Sequence, residues 1–362
     1  MRTSDRNSRF ELVRIIAIIL IMFQHVIERG VTNSWNYYIT APMDINWFIS
    51  ILLGVWGQLG VVLFVILTSW FAVDREQTSS KRIILLIIQT LSICIILCIV
   101  SFLVNPKAVS LKLIIKELLT PIEQQYWFIS TYIVFYIMIP VLKIIINNIS
   151  TKSLEKFLII LTIFVPVYNY YTQNIGGYLA DFCYIFFVTA YLKKNKDNLI
   201  SRYSRYWVLG IGLISAFILI SRFVFVELMD NSIGESLFMH ILMTIRGRTL
   251  ILIITAFLVF YQITKGNIYI NSFINKISSS ILGVYLVHEN YLARQYIWEG
   301  IFNINNMITS VWYPIYYIFI VFITFVVCVV FEIIREKIFE KCIYKMLLID
   351  KISNKIDDLI NF

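Results

Sequence analysis

Apolar runs of about 20 residues recur along the whole chain, and each is long enough to cross the hydrocarbon core of a bilayer as a helix. Of the 362 residues, 59% are hydrophobic and only 15% are charged. A water-soluble fold of this size cannot bury such an excess of apolar surface. The alternating pattern of a transmembrane β-barrel is absent from the sequence. The sequence therefore predicts an all-α integral membrane protein.

The apolar runs predict a bundle of ten transmembrane helices. Their predicted bounds are 10–28, 47–72, 83–104, 127–146, 154–171, 175–192, 206–227, 249–264, 278–298 and 308–333. An additional amphipathic stretch, 107–125, is expected to lie in the membrane interface. We expect one transmembrane domain over 1–333, followed by a basic cytoplasmic tail helix over 334–362.

The distribution of basic residues predicts the orientation of these helices. With the N-terminus in the cytoplasm, 22 of the 31 Lys and Arg residues fall on cytoplasmic segments and 7 on outer segments, while Arg14 and Arg222 lie inside spans. Both termini are therefore expected in the cytoplasm. The formal net charge of +9 is explained by these loops, so no nucleic-acid partner is expected. The five cysteines are scattered without metal-ligand spacing, so no metal is expected either.

The first predicted span carries two ionisable side chains, Arg14 and His25. Ionisable residues inside a membrane are costly and usually mark function. At about 100° per residue, their spacing brings both onto one helix face, roughly 16 Å apart along the axis. A cation at the cytoplasmic mouth and a titratable base nearer the outer side suit a substrate that threads the membrane. Two alternatives stay open, in which Arg14 snorkels to the inner headgroups and His25 is a hydrogen-bonded structural histidine.

A second polar group lies in the predicted ninth span. A run of three serines, 278–280, is followed by Tyr285 and His288, which are three positions apart and share a helix face. The predicted direction of this span brings His288 to a depth similar to that of His25. Two histidines facing one cavity would divide the duties of base and orienting group. The alternative is that His288 packs near the interface among aromatic neighbours.

Four sequence elements together resemble those of a known family. They are residues 10–14 (FELVR) with His25, residues 60–64 (GVVLF), Trp127 and Phe128 with Tyr132, Tyr136 and Pro140, and residues 285–288 (YLVH). In this order they resemble the Arg-x10-His, GVxLFF, WF…Y…Y…P and YLxH elements of the acyltransferase-3 family, which are bacterial membrane-bound O-acyltransferases. The resemblance covers nearly the whole chain and includes the count of ten spans.

The chain departs from the family pattern in three respects. The second span continues as Thr68, Ser69 and Trp70 where the family has Ser-Gly. Of the family's Arg-x-x-Arg pair before the third span, only Arg82 can be carried over. The extracellular hydrolase-like domain of some members has no counterpart in this sequence. Transfer is therefore expected to be completed by the membrane domain or by a separate extracytoplasmic transferase.

The resemblance implies an O-acyltransferase of the bacterial plasma membrane. Such proteins take an acyl group, here expected to be acetyl, from acyl-CoA and transfer it to a hydroxyl of a glycan or lipid-linked glycan. His25 would act as general base or as the carrier of an acyl-histidine, while His288 or a serine of the 278–280 run would orient groups or stabilise the oxyanion. The expected site residues are His25 and His288 for catalysis, Arg14 and Arg82 for acyl-CoA, and Tyr285, Ser280, Trp127 and Tyr136 for substrate.

Two rival interpretations come from other functional classes. In the first, the chain is a transporter or flippase for a saccharide or small metabolite, and its intramembrane ionisable residues line a polar pathway without covalent chemistry. In the second, it is a membrane sensor whose basic tail binds a partner. Transfer of a labelled acyl group distinguishes the enzyme from both.

Overall fold

Helices form the regular secondary structure of the protein. The computed structural model describes residues 6–119, 126–167, 177–195, 197–247, 249–342 and 349–360, and within these ranges no β-strand occurs. The helices are α1 (Ser8–Gly30), α2 (Ser34–Thr40), α3 (Ile45–Gly54), α4 (Gly57–Val73), α5 (Lys81–Val104), α6 (Leu111–Leu118), α7 (Trp127–Asn148), α8 (Thr151–Thr162), α9 (Gly177–Lys194), α10 (Leu199–Tyr203), α11 (Trp207–Arg222), α12 (Ser232–Arg246), α13 (Leu250–Thr264), α14 (Ser272–Ser279), α15 (Ile281–His288), α16 (Tyr291–Gln295), α17 (Ile304–Met307), α18 (Tyr313–Cys342) and α19 (Ile349–Ile360).

Seven helical segments among the described residues are long and apolar enough to cross a membrane. They are Ser8–Gly30, Ile45–Val73, Lys81–Val104, Trp127–Asn148, Leu199–Leu228, Ser232–Thr264 and Tyr313–Phe339. The chain is therefore an all-α membrane protein that crosses the bilayer several times. The total of ten spans and the cytoplasmic placement of both termini stay predictions.

Three predicted spans are not among these seven segments. The run 154–171 begins in α8 and continues as a π-helical turn to Val167, and its last residues lie outside the described part of the chain. The run 175–192 corresponds to α9. Its first two residues, 175 and 176, also lie outside the described part of the chain. The run 278–298 is broken into short helices at Ser280 and again after His288.

Two segments outside the predicted spans pack against the helical bundle. In the stretch 107–125, α6 buries Glu117, whose carboxylate accepts a hydrogen bond of 2.9 Å from the Asn290 amide, while residues 120–125 lie outside the description. The last span is predicted to end near residue 333, but α18 continues to Cys342. A buried ion pair between Glu332 and Arg335 spans the predicted end, so the helix still packs on the bundle beyond residue 333.

Helix α1 lies at the centre of the bundle. It begins after Asn7, whose side chain accepts a hydrogen bond from the Arg9 amide, and it contacts α3, α4, α13, α14, α15 and α18. The closest approach is to α4, because a Cβ at Gly60 would lie 2.3 Å from the carbonyl oxygen of Ala17. The glycine of the GVVLF element therefore lets α4 pack directly on the helix that carries Arg14 and His25.

Replacing this glycine is expected to separate the two helices. Gly60→Ala places a methyl group against backbone that cannot rotate away, and overpacking of this kind costs about 1–3 kcal/mol. We expect a lower thermal unfolding midpoint in detergent. Gly210→Ala is the matched control, since a Cβ there meets nothing within 4 Å and a helical alanine is favoured over glycine. An unchanged midpoint for Gly60→Ala would contradict the close approach of α1 and α4.

Candidate active site

A cavity of about 1670 Å³ extends along α1, and both Arg14 and His25 line it. The shared face expected from the helical period is therefore the face that borders the cavity. Ile21, Phe64 and Leu67 line apolar parts of its wall. The volume exceeds the 300–1000 Å³ that ligand pockets commonly have, so a large elongated ligand can be accommodated.

Basic side chains gather at the Arg14 end of the cavity. The lining there includes Arg75, Lys81 and Arg82, from the segment between α4 and α5 and from the first turn of α5. The Tyr136 hydroxyl interacts by hydrogen bonding with both Arg75 and Arg82. Burial, and then the charge of neighbouring Arg82, lower the pKa of Arg75. Within the described residues neither guanidinium forms an ion pair with a carboxylate, so this end presents positive charge to a ligand.

Arg14 itself is paired. Its guanidinium donates to Glu11 one turn earlier on α1, and Ser278 on α14 donates to the other Glu11 oxygen at 2.6 Å. Glu11 is buried, with 4% of its surface exposed. Arg14 is therefore held inside the bundle, and the interpretation that it only snorkels to headgroups does not describe its contacts.

A second buried ion pair forms another part of the wall. Arg335 donates two hydrogen bonds of 2.7 Å to the carboxylate of Glu332, which also accepts one from Gln89 on α5. A Cβ at Gly283 would lie 2.4 Å from the Glu332 carboxyl carbon, so this glycine makes room for the pair. The network joins α5, α15 and α18 beside the cavity. Arg335 lies just beyond the apolar run of the last predicted span, so hydropathy alone places it in the tail 334–362. The i, i+3 spacing of Glu332 and Arg335 was the available signal for their pairing.

The two histidines meet at the other end of the cavity. His25 Nδ1 lies 3.0 Å from His288 Nε2, and His288 Nδ1 lies 2.6 Å from the carbonyl oxygen of Val284. His288 is completely buried and lies behind His25, which borders the cavity. The expectation that both histidines face the cavity is thus met by His25 alone. The reason is that the Val284 carbonyl, one turn earlier on α15, holds the His288 ring inside the protein.

These contacts assign the tautomers of both rings. A carbonyl oxygen can only accept, so His288 carries its proton on Nδ1 and presents an unprotonated Nε2. That atom accepts the Nδ1 proton of His25. A neutral His25 is therefore left with its lone pair on Nε2, which is the arrangement that a general base or a nucleophile requires.

A carboxylate completes this arrangement. Glu289 Oε2 lies 3.2 Å from His25 Nδ1, and its other oxygen is paired with Arg29 at 2.5 Å and with Arg294 at 3.2 Å. When His25 takes up a proton on Nε2, the nearby carboxylate stabilises the imidazolium. Glu289 is not among the site residues expected from the sequence, although its position directly after His288 was the available signal.

His25, His288 and Glu289 also have the composition of a metal site, since their ligand atoms lie within 4.8 Å of one another. Binding a cation there would break the direct hydrogen bond between the two rings. It would also bring the cation next to Arg29 and Arg294, whose positive charges oppose it. The contacts therefore favour an imidazole oriented by hydrogen bonding over a metal centre.

Aromatic and polar groups border the cavity near His25. Trp127 stacks on Tyr178 with ring centroids 3.9 Å apart, and both rings line the cavity. Gln24 Oε1 and Arg29 Nε are buried and lack a hydrogen-bond partner among the described residues, and both residues are lining residues. This end therefore offers a flat aromatic surface to a bound ligand.

The structure brings most of the expected site residues to one cavity. Those that line it are His25, Arg14, Arg82, Tyr285, Trp127 and Tyr136. Ser280 is fully buried at the break between α14 and α15 and is not a lining residue, whereas Ser278 and Ser279 are. The run 278–280 turns around a helix, so its members point in different directions. Their roles in binding and catalysis stay predictions.

The fold and the site define a multi-pass, all-α membrane protein with a large internal cavity that is basic at one end and carries a histidine pair at the other. A family model described as an acyltransferase domain matches residues 7–333, a range that contains both histidines, Arg14 and Arg82 but not Arg335. The chain belongs to the acyltransferase-3 family and is an acyltransferase. No curated protein and no solved structure matches it.

Proposed function

We propose that the protein transfers an acyl group, acetyl in the simplest case, from acyl-CoA to a hydroxyl of a cell-envelope glycan or lipid-linked glycan at the bacterial plasma membrane. The single observation that supports this most directly is that one cavity holds an oriented imidazole, His25, and two neighbouring guanidiniums, Arg75 and Arg82, that form no ion pair with a carboxylate of the described residues. Family membership supports acyl transfer. The cavity is large enough for donor and acceptor to bind in it at the same time.

The basic end suits the anionic part of the donor. Phosphates bind guanidinium groups through charge-assisted, often bidentate hydrogen bonds, and Arg75 and Arg82 lie side by side there. In the predicted orientation this end faces the cytoplasm, where acyl-CoA is made. The apolar middle of the cavity then takes the pantetheine arm, and the thioester reaches towards His25 roughly 16 Å further along α1.

The chemical step follows from the tautomer of His25. The acceptor hydroxyl oxygen attacks the thioester carbonyl carbon while His25 Nε2 takes the hydroxyl proton. Collapse of the tetrahedral intermediate breaks the carbon–sulfur bond, and His25 returns the proton to the departing thiolate. Glu289 stabilises the transient imidazolium, and His288 holds the ring in place. The products are the glycan ester and free CoA.

The His25 end suits a saccharide acceptor. Sugar rings pack on aromatic faces, and Trp127 and Tyr178 provide a stacked pair at this end. In the predicted orientation the acceptor reaches this end from the outer side, so donor and acceptor enter from opposite ends of one cavity.

Reconstitution with labelled substrate tests this function. The purified protein in vesicles is expected to transfer label from acetyl-CoA to envelope glycan and to release CoA in equal amount. Loss of O-acetyl esters from the glycan of a deletion strain, restored by the intact chain, would support the same acceptor. Transport of a saccharide without release of CoA would instead establish the transporter or flippase interpretation.

A further inference from the structure

The start of the C-terminal helix α19 lines the basic end of the cavity. Ile349 and Asp350, at its start, are lining residues together with Ser79 and Lys81 of the segment leading into α5. Ile349 and Ser353 are buried, and with Asp357 they lie on one face of the helix. The amphipathic face of α19 is therefore packed on the protein at the position where a donor has to enter.

The contacts of α19 are those that an anion would make. The Asp357 carboxylate accepts a hydrogen bond of 2.5 Å from the Ser80 amide and one of 3.3 Å from the Ser79 hydroxyl. Asp350 forms an ion pair with Lys81, and the Ser80 hydroxyl donates to the Ser353 carbonyl oxygen at 3.1 Å. The Ser80 amide lies at the N-terminus of the 24-residue helix α5, whose dipole favours negative charge.

We propose that α19 is an autoinhibitory strap whose carboxylates occupy the groups that bind the phosphates of the acyl donor, so that the donor must displace the helix. The proposal rests on acyl-CoA being the donor. The exposure of the Lys81–Asp350 pair agrees with a reversible contact, because ion pairs in contact with water are weak. Arg75 and Arg82 remain available beside the strap to attract the incoming phosphates.

Charge removal is the first test. The double variant Asp350→Asn with Asp357→Asn is expected to weaken the docked state of α19. The probe is S-ethyl coenzyme A, a thioether without the thioester carbonyl that transfer requires. Its binding is expected to tighten about three- to tenfold. The matched control is Asp358→Asn with Asp197→Asn, which removes two exposed carboxylates of the same kind outside these contacts. An equal change in both double variants would show a general charge effect and overturn the strap.

A reversible tether is the second test. Cysteines at Ser79 and Asp357, whose side-chain oxygens are 3.3 Å apart, are close enough to be joined by a short bis-methanethiosulfonate cross-linker, which fixes the helix in place and is cleaved by reduction. The cross-linked full-length protein should bind S-ethyl coenzyme A at least tenfold more weakly than the same protein after reduction. Ser79→Cys alone should show no difference between the two conditions.

The outcomes separate this proposal from the proposed function. Binding that is equal in the tethered and reduced forms overturns the strap and leaves the acyl-CoA donor standing. If the wild type, the charge variants and the reduced tether all fail to bind S-ethyl coenzyme A, the donor assignment is wrong and the strap fails with it.

Discussion

His25→Gln is expected to lower kcat for acyl transfer by about 10³-fold, within the range attributed to a positioned general base. Glutamine can still donate to His288 Nε2 from a similar position, but it has no basic lone pair to take the hydroxyl proton. Binding of S-ethyl coenzyme A should be retained, because the substitution changes one side chain of the cavity wall at the end opposite to the basic residues. The measurement is single-turnover release of CoA by the reconstituted protein.

The control for this substitution is the third histidine of the chain. His240 is exposed on α12 and is not among the residues that line the cavity, so His240→Gln should change kcat by less than about twofold. A His25→Gln protein that is folded, binds the donor analogue and turns over at the wild-type rate would refute the role of this imidazole. A label that remains covalently attached to His25 in the wild type would identify it as a nucleophile instead of a base.

Arg82→Gln is expected to raise the KM for acyl-CoA by about 10- to 100-fold while changing kcat little. The substitution removes a guanidinium that is hydrogen-bonded to Tyr136 and unpaired with any carboxylate of the described chain. Hydrogen bonds to charged groups contribute about 1.5–3 kcal/mol, which corresponds to this range of affinity. The KM for the glycan acceptor should stay unchanged, because the acceptor is expected at the opposite end of the cavity.

Arg202→Gln provides the comparison for a general loss of positive charge. Arg202 is exposed and paired with Asp197 outside the cavity, so its substitution should leave the donor KM within about twofold of the wild type. Arg14 is a less suitable test, because removing it leaves Glu11 buried without its charged partner and destabilises the fold. A donor KM unaffected by Arg82→Gln would show that the phosphates bind elsewhere.

Local periodicity explains which parts of the site could be predicted from the sequence. Arg14 and His25 lie on one helix, so the period of 3.6 residues is sufficient to bring them to one face, and the structure confirms that this face borders the cavity. The membrane class follows in the same way from the length of the apolar runs. The break at Ser280 could not be predicted in this way, because an apolar run shows where a helix can cross the membrane but not whether that helix is continuous.

Contacts between distant segments could not be predicted in this way. The Arg75–Arg82–Tyr136 cluster joins the loop after α4 with α5 and α7, and it brings a second arginine, Arg75, next to Arg82. Glu332 and Arg335 are assigned to the cavity only by the packing of α18 against α15, which Gly283 permits. Hydropathy reports how deep such residues lie in a membrane but not which neighbours they face.

The sequence by itself determined that this protein lies in a membrane, which face of α1 carries its ionisable groups and to which family it belongs. Only the tertiary structure decided that His25 and His288, 263 positions apart, share a proton and that Glu289 stands beside them. The physical reason is that a helix fixes the direction of its side chains over a few turns, whereas hydrogen bonds between helices depend on how closely and at which register they pack.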